Sequence, residues 1–212
     1  EIKQLYQKDI DDIMKVEQSA WDPEWQASRE KINSRIKIFP EGCIGIFTKS
    51  GELAGYTTSM IKQTKAENLD TGHSWDEITN NGYITNHNNT GNCLYILSVS
   101  VSSSFQNLGF GKKLVEAQKK LANFKRLDFV YLGARMPQFR SYIENKYDEI
   151  DSEILYNEAK LYAHLKRDDN MYQDSEIRFY GSYCGFEVVD IVENFGPDSP
   201  SMNFGVIMIW NM

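Results

Sequence analysis

The sequence predicts one α/β (α+β) domain over residues 1–212, and three observations support this prediction. Short β-branched and aromatic runs alternate with segments of helical spacing, in the order β-α-α-β-β-β-α-β-α-β-β. The run 94–101 leads through a glycine-rich turn directly into an amphipathic helix. With 41% hydrophobic residues in a chain of 212, the protein can bury one substantial core.

Strands are expected where β-branched and aromatic residues cluster between turn residues. Ser50 and Gly51 separate the second strand from the third as a hairpin turn, and Pro197 and Pro200 mark the turn before the last strand. The expected strands are residues 2–6, 43–48, 53–61, 94–101, 129–134, 186–192 and 203–210.

Helices are expected where apolar residues recur every three or four positions. The helix after the glycine-rich turn has its apolar stripe at Phe110, Leu114, Ala117, Leu121 and Phe124. The other expected helices are residues 8–20, 25–38, 139–147, 153–165 and a late helix around 177–179. Between them, the polar stretch 65–92 is expected to be a long loop with at most one helical turn.

The glycine-rich turn, residues 106–112, has the properties of a diphosphate-binding loop. Gly109 and Gly111 allow the backbone to turn its N–H groups inward. The first turn of the following helix adds unpaired donors and the positive end of the helix dipole. The segment therefore predicts a site for a phosphate-bearing ligand.

Two well-known phosphate loops do not fit these residues. A Walker A loop needs a glycine where the chain has Gln106, and a serine or threonine where it has Lys113. A dinucleotide-binding fingerprint needs a small residue at the position of Leu114, so that the helix can pack closely on its strand.

The pattern that fits is Gln/Arg-x-x-Gly-x-Gly/Ala, formed here by Gln106, Gly109 and Gly111. In this motif the chain resembles the GNAT superfamily of N-acetyltransferases, where it is the loop that binds acyl-coenzyme A (acyl-CoA). The strand 129–134 and the late Gly-Phe strand at 185–186 follow in the family's order. The resemblance therefore covers nearly the whole chain.

The resemblance implies a GNAT fold, with a central mixed, mostly antiparallel twisted sheet, flanking helices, and fourth and fifth strands that are parallel and splayed. Residues 136–174 are charged and rich in tyrosine, and they look like a helical insertion after the fifth strand of a single GNAT domain. Residues 73–92 and 133–137 look more narrowly like acetyltransferase domains attached to carbon–nitrogen hydrolases.

The resemblance also implies a cosubstrate, acetyl-CoA, and no metal. The pyrophosphate would face the N–H groups of residues 107–112, and the pantetheine arm would lie along the central strand as an added strand. The main-chain N–H near Val99 would polarise the thioester oxygen, which makes Val99 a catalytic residue. The implied cofactor-binding residues are Val99, Ser100, Val101, Gln106, Asn107, Leu108, Gly109, Phe110, Gly111 and Lys112.

Direct attack by an amine needs a base to remove the ammonium proton. The central strand offers no carboxylate, because its lateral residues are Ser98 and Ser100, which suit a bound water. The candidates elsewhere are Asp76, Glu77 and His87 on the polar loop. For each of these, the alternative is an ordinary capping or solvated loop residue.

The leaving thiolate needs an acid, which in the family is commonly a tyrosine five residues before the Phe of the Gly-Phe pair. That position holds Gly181, and Tyr180 lies one step earlier. One step turns a side chain by about 100° on a regular helix, so Tyr180 fits the role only if the helix end is bulged. Tyr183 is the second candidate, and either residue is equally compatible with ordinary packing.

Several other residues have both a functional and a structural interpretation. Arg135 either meets an acidic group of the substrate or pairs with the carboxylates of the 136–174 segment. Cys184 lacks the neighbouring histidine that covalent catalysis would need. The aromatic residues that either wall the acceptor site or fill the core are Trp21, Trp25, Trp75 and Tyr142.

Composition limits the partners and the location. A net charge of −7 argues against a general nucleic-acid surface, and no run is apolar enough to span a membrane. Three cysteines without metal or redox spacing indicate reduced thiols, so a cytoplasmic protein is expected. The expected partner is a small-molecule or peptide amine, with no nucleic acid and no membrane, and a homodimer is left open.

A second function fits the same residues, namely a GNAT-fold module that holds acyl-CoA as a sensor or scaffold without turnover. The lack of a carboxylate on the central strand and the displaced position of Tyr180 favour it. The two hypotheses differ in one observable property, because only the enzyme releases free thiol when it is given amines.

Overall fold

The computed structural model describes all 212 residues. Its strands are β1 (Ile2–Gln4), β2 (Ile44–Phe47), β3 (Leu53–Lys62), β4 (Cys93–Val101), β5 (Phe129–Ala134), β6 (Glu187–Val192) and β7 (Gly205–Asn211). They form one sheet in the order β1-β2-β3-β4-β5-β7-β6, in which β4 and β5 are parallel. The pairs β1–β2, β2–β3, β3–β4 and β6–β7 are antiparallel, so the expected mixed, mostly antiparallel sheet is confirmed.

The helices are α1 (Ile10–Ala20), α2 (Arg29–Ile38), α3 (Trp75–Thr79), α4 (Phe110–Lys125), α5 (Phe139–Lys146), α6 (Ser152–His164) and α7 (Ser175–Ile177). A π-helical turn, Arg178–Tyr183, follows α7 directly. The predicted second helix begins later than expected, because Pro23–Trp25 forms a separate 3-10 turn. Ser28 then caps α2, with its Oγ accepting a hydrogen bond from Lys31 N at 3.3 Å.

The chain divides into two compact units, which are described separately below. The first unit comprises Glu1–Thr64, Thr79–Val130 and Asn211–Met212. The second unit comprises Lys65–Ile78 and Tyr131–Trp210, and it contains the whole of the 136–174 segment. That these units act as one domain over residues 1–212, and that 136–174 is an insertion, both stay predictions.

The core of the first unit consists of two apolar clusters. One joins α1 and α2 to the early strands, through Leu5, Ile10, Ile13, Val16, Ile32, Ile36, Cys43, Leu53 and Tyr56. The other joins α4 to the sheet, through Ile46, Ala54 and Leu114, with Val99, Val101, Phe105 and Phe110 packed against it. The two clusters place α1 and the start of α4 next to the end of β4.

The buried face of α4 differs from the stripe predicted from its sequence. It consists of Leu114, Val115, Gln118, Lys119 and Ala122. Phe124, expected inside, is 84% exposed. Gln118 donates from Nε2 to Gly42 O at 2.9 Å, although its Oε1 has no partner, and Lys119 Nζ lies 3.1 Å from Glu116 Oε1. Apolar spacing alone missed this face because two of its polar side chains have partners.

In the second unit, α5 and α6 pack through aromatic rings. The ring centroids of Tyr142 and Tyr162 are 4.8 Å apart, and those of Phe139 and Tyr162 are 5.3 Å apart. The Tyr142 hydroxyl donates to Glu158 Oε2 at 3.1 Å, and Lys146 Nζ lies 2.8 Å from the same oxygen. Tyr142 is therefore a packing residue between these two helices.

Candidate functional site

Two residues with left-handed backbone set the shape of the turn between β4 and α4. Asn107 has φ 61° and Gly109 has φ 75°. This conformation costs an ordinary L-residue about 1–2 kcal/mol, and asparagine and glycine are the residues that adopt it most readily. A Cβ at Gly109 would meet no atom within 4 Å, so the positive φ, and not crowding, requires glycine here.

The turn presents a row of unpaired backbone donors. No N–H group of residues 106–112 donates to a protein acceptor, and the first bond of the helix runs from Lys113 N to Gly109 O at 3.2 Å. The turn is exposed at the surface, and Gln106 closes it from the side by donating from Nε2 to Val101 O at 3.3 Å. Seven such donors at the positive end of a 16-residue helix are the arrangement expected of an anion-binding site.

The strand that delivers the chain to this turn is bulged. The register between β3 and β4 shifts between Thr58 and Ser59, so β4 has one extra residue shortly before Val99. A bulge bends the strand and re-aims the side chains that follow, and bulges are frequent next to active sites. Beyond it, the side chains of Val99 and Val101 both pack towards α4.

The hydroxyl groups of both serines of β4 contact protein groups. Ser98 Oγ lies 2.9 Å from Thr58 Oγ1. Ser100 is buried, donates to Glu17 Oε1 at 3.0 Å and accepts from Trp21 Nε1 at 2.8 Å. The water-holding role expected for these serines stays a prediction, and Ser100 also leads to a buried carboxylate.

That carboxylate, Glu17 on α1, was missed by the sequence analysis. It is 2% exposed and also accepts from the Tyr56 hydroxyl at 2.6 Å and from Ala27 N at 2.6 Å. Burial, together with the nearby Glu17 charge, raises the pKa of Tyr56 well above its usual value. A signal was present in the sequence, because Glu17 follows Ile10 by seven positions and Ile13 by four, on the apolar stripe of its helix.

The end of α1 also contacts the segment that enters the glycine-rich turn. Ser19 Oγ lies 3.0 Å from Ser102 Oγ and 2.8 Å from Ser103 Oγ. It also accepts a hydrogen bond from Ser103 N at 3.0 Å. The last turns of α1 therefore hold both the end of β4 and the entry to the anion-binding turn.

Tyr180 lies in the second unit, in the π-helical turn Arg178–Tyr183. A π turn adds one residue to the helix, which is the kind of bulge that the sequence required for Tyr180 to reach the family's tyrosine position. Its side chain is 9% exposed, and its ring centroid lies 4.9 Å from that of Phe179. Tyr183 is 48% exposed. The geometric condition for Tyr180 is met, and its role as the acid stays a prediction.

The three candidate bases on the polar loop have different surroundings. Glu77 accepts from Ser74 N at 2.8 Å, and this bond lowers the pKa of its exposed carboxylate, as expected of a helix cap. His87 Nδ1 accepts from Ile61 N at 3.0 Å, and burial lowers the pKa of the ring. Asp76 is exposed. Two of the three candidates thus have structural partners.

Arg135 forms an ion pair with a residue that the sequence analysis did not consider. Its Nε and Nη2 donate to the two carboxylate oxygens of Asp198 at 2.7 and 3.0 Å. Asp198 precedes β7 and lies outside the 136–174 segment that was expected to supply the partner. The Arg135 N–H also donates to Glu176 Oε1 at 3.0 Å, and burial raises the pKa of Glu176 to about 7.

The remaining candidates lie within the packed structure. Trp25 is half-buried, with Nε1 donating to Glu24 Oε1 at 3.2 Å, and Trp75 is half-buried at the start of α3. Cys184, like the other two cysteines, is buried and forms no disulfide. Burial raises the pKa of Cys43 to about 12, so that thiol stays protonated.

Comparison with known proteins identifies related sequences along nearly the whole chain. The model of the acetyltransferase (GNAT) family matches residues 10–142. The uncharacterized N-acetyltransferase YkwB of Bacillus subtilis (strain 168) is 30% identical, over 99% of this chain and 87% of that protein. The probable hydrolase YhcX of the same organism is 28% identical over 99% of this chain, which spans 38% of that protein's length.

Solved structures with the same fold include two that cover the entire chain. The loading GNATL domain of CurA from Lyngbya majuscula has a TM-score of 0.81 at 19% identity, over 100% of this chain and 96% of that one. The GphF GNAT-like decarboxylase in complex with isobutyryl-CoA has a TM-score of 0.78 at 18% identity, over 100% and 98%. At these identities the likeness shows the fold. None of the helices combines the length and apolar character that crossing a membrane requires.

Proposed function

Because this chain belongs to the GNAT family of acetyltransferases, whose general reaction is acyl transfer, we propose that it moves an acetyl group from acetyl-CoA to a primary amine. The amine is carried by a small molecule, a lysine side chain or a peptide N-terminus. The amine attacks the thioester directly, without a covalent enzyme intermediate.

The observation that carries this proposal is the row of seven unpaired N–H groups at residues 106–112. A pyrophosphate has the charge and the acceptor oxygens to satisfy such a row, and the N-terminus of α4 adds its dipole. Lys112 is exposed beside the turn and supplies a positive charge. The pantetheine arm then runs along residues 99–101 as an added strand.

Each step of the reaction has a chemical requirement. The lone pair of the neutral amine forms the C–N bond, and the carbonyl electrons move to oxygen, which the Val99 N–H stabilises. Losing one such donor typically raises the barrier by about 3 kcal/mol. Collapse breaks the C–S bond and the thiolate takes a proton from Tyr180. The amide nitrogen gives up its extra proton to solvent, and Tyr180 regains a proton from solvent. The residue that deprotonates the incoming ammonium is left unassigned.

Two alternatives remain to be separated by experiment. The first is a module that binds acyl-CoA without turnover, which the same anion-binding turn would serve. The second is decarboxylation of the acyl group of an acyl-CoA, because the similar GphF structure is a GNAT-like decarboxylase in complex with isobutyryl-CoA. The acyl-CoA panel for the assay therefore includes acetyl-CoA, isobutyryl-CoA and malonyl-CoA.

The test combines calorimetric titration with acetyl-CoA and an assay of free thiol release. The amine panel contains polyamines, amino acids, aminoglycosides and peptides. We expect saturable binding, and thiol release that depends on one class of amine and on acetyl-CoA. Binding without thiol release across the panel would favour the sensor or scaffold. Carbon dioxide release from malonyl-CoA, without an amine, would instead favour decarboxylation.

A further inference from the structure

Glu17 is a buried charge with no cation beside it. Its carboxylate is 2% exposed, and none of the ion pairs in the structure includes it. Burying a carboxylate costs several kcal/mol unless hydrogen bonds replace its hydration, and an apolar residue at this position of α1 would avoid that cost. The burial of this carboxylate therefore has a cost that the segments held in place by its hydrogen bonds must explain.

Two of the three bonds lead to the connection between α1 and α2, residues 21–28. Glu17 Oε2 accepts from Ala27 N at 2.6 Å, near the end of the connection. Glu17 Oε1 accepts from Ser100 Oγ, which in turn accepts from Trp21 Nε1 at the start of the connection. Gln26 Nε2 donates to Trp21 O at 2.9 Å and closes the loop on itself. One carboxylate thus fixes both ends of the connection.

The same contacts bring the connection against the reacting part of β4. Ser100 directly follows Val99, the residue proposed to stabilise the thioester oxygen. The indole N–H of Trp21 lies 2.8 Å from Ser100 Oγ, so the indole lies one residue from that position. The side chains of Val99 and Val101 pack on the α4 side, whereas Ser100 contacts α1. The connection is therefore placed on the side of β4 opposite to α4.

We infer that Glu17 is a positioning residue that fixes residues 21–28 as the wall of the acceptor site, with Trp21 against β4. This inference rests on the proposed acyl transfer to an amine. The hydrogen bonds on both carboxylate oxygens show that Glu17 acts as a fixed acceptor. It acts on the acceptor through the connection, and does not contact the cosubstrate turn.

The key variant is Glu17→Gln, which keeps the size of the side chain but turns one acceptor oxygen into a donor group. Either Ala27 N or the Ser100 and Tyr56 hydroxyls then lose their acceptor. We expect the KM for the best amine of the panel to rise at least tenfold, while the Kd for acetyl-CoA stays within twofold. Glu52→Gln, an exposed carboxylate of the same unit, is the matched control and should change neither value.

Tyr56→Phe separates positioning from simple stabilisation. It removes a 2.6 Å bond to the same carboxylate, while the hydrogen bonds of that carboxylate to Ala27 N and Ser100 Oγ are kept. The inference predicts a lower Tm for this variant with a KM near that of the native protein. Amide exchange at Ala27 should speed up in Glu17→Gln and stay slow in Tyr56→Phe.

Trp21→Phe keeps the test valid if Glu17→Gln does not fold, because it removes only the indole N–H and part of the ring. It should raise the KM for the amine without weakening acetyl-CoA binding. An unchanged KM in folded Glu17→Gln or Trp21→Phe would overturn the inference, as would an equal rise in Tyr56→Phe. If the native protein releases no thiol with any amine, the proposed function itself fails. If the native protein turns over and the variants keep its KM for the amine, the positioning role of Glu17 fails and the proposed function stands.

Discussion

Glu17 on α1 and Ser100 on β4 are joined by a hydrogen bond of 3.0 Å, although 83 residues separate them in the chain. Two residues further along α1, Ser19 contacts Ser102 and Ser103 at the entry to the glycine-rich turn. The N–H groups of residues 106–112 therefore follow a stretch of backbone, the end of β4 and residues 102–103, that is held in place by contacts with α1. Preorganised donors bind more tightly because less conformational entropy is lost on binding.

Gly109→Ala should weaken acetyl-CoA binding about tenfold, because a left-handed φ costs an L-residue about 1–2 kcal/mol and about 1.4 kcal/mol is a factor of ten in Kd. Calorimetric titration measures this directly. Gly185 and Gly196 provide matched controls, since a Cβ at either would also meet no atom within 4 Å. Gly185 also has a φ of 75°, so Gly185→Ala should lower the stability of the protein without weakening acetyl-CoA binding. Gly196→Ala should change neither property much. An equal loss of binding in Gly185→Ala would contradict a local role for Gly109.

Tyr180→Phe should lower kcat by at least tenfold and leave the Kd for acetyl-CoA unchanged, because proton donation by a positioned side chain contributes roughly a hundredfold or more. Steady-state thiol release with the best amine provides the measurement. Tyr183→Phe is the control, because Tyr183 is 48% exposed and lies in the same π turn. If Tyr183→Phe loses activity and Tyr180→Phe does not, the acid is Tyr183.

Glu176 should make stability fall as the pH rises from about 4.5 to about 7. Burial raises its folded pKa to about 7 from the ordinary 4.5, so the folded protein holds a proton that the unfolded chain has already released. Glu176→Gln removes this dependence, and its Tm relative to native should increase from pH 5 to pH 7 and stay level above pH 8. Thermal melts at these pH values test the sign, with exposed Glu193→Gln as control. A constant difference across the range would contradict the assignment.

The three cysteines should be nearly unreactive in the native protein. All are buried and form no disulfide, and burial raises the pKa of Cys43 to about 12, which suppresses its reactive thiolate. Ellman's reagent should therefore report no fast thiol under native conditions and three after unfolding in guanidinium. One fast-reacting thiol in the native protein, mapped to Cys184, would contradict this prediction and support a covalent acyl-cysteine intermediate. The thiol-release assay would then have to be corrected for the signal of this cysteine.

The fold and the position of the glycine-rich turn could be predicted from the sequence because both depend on local rules; anion binding by this turn stays a prediction. Gly109 and Gly111 mark the turn, and the spacing of strands and helices gave each element to within a few residues. The same local rules did not predict which polar side chains are buried, because burial of a polar side chain depends on partners from distant parts of the chain. Glu17 lies on an apolar stripe, where only the structure shows the donors that make a buried charge tolerable.

Tyr180 and the α4 face illustrate two other limits of sequence reasoning. The displacement of Tyr180 could be recognised from spacing, but the π turn that compensates for it depends on the packing of the helix end. The buried face of α4 includes Gln118, which a hydrophobicity pattern assigns to solvent and which a hydrogen bond to Gly42 O accounts for. Ion pairs such as Arg135 with Asp198 join distant segments and leave no local pattern.

The central claim is that the N–H groups of residues 106–112 bind the pyrophosphate of CoA. An amide NMR titration of the native protein with CoA tests it most directly, because each of these groups gives its own signal. We expect large, saturable shifts clustered at residues 106–112, and a weaker titration of the same signals in Gly109→Ala. Saturable binding that shifts amides elsewhere and leaves these signals in place would contradict it.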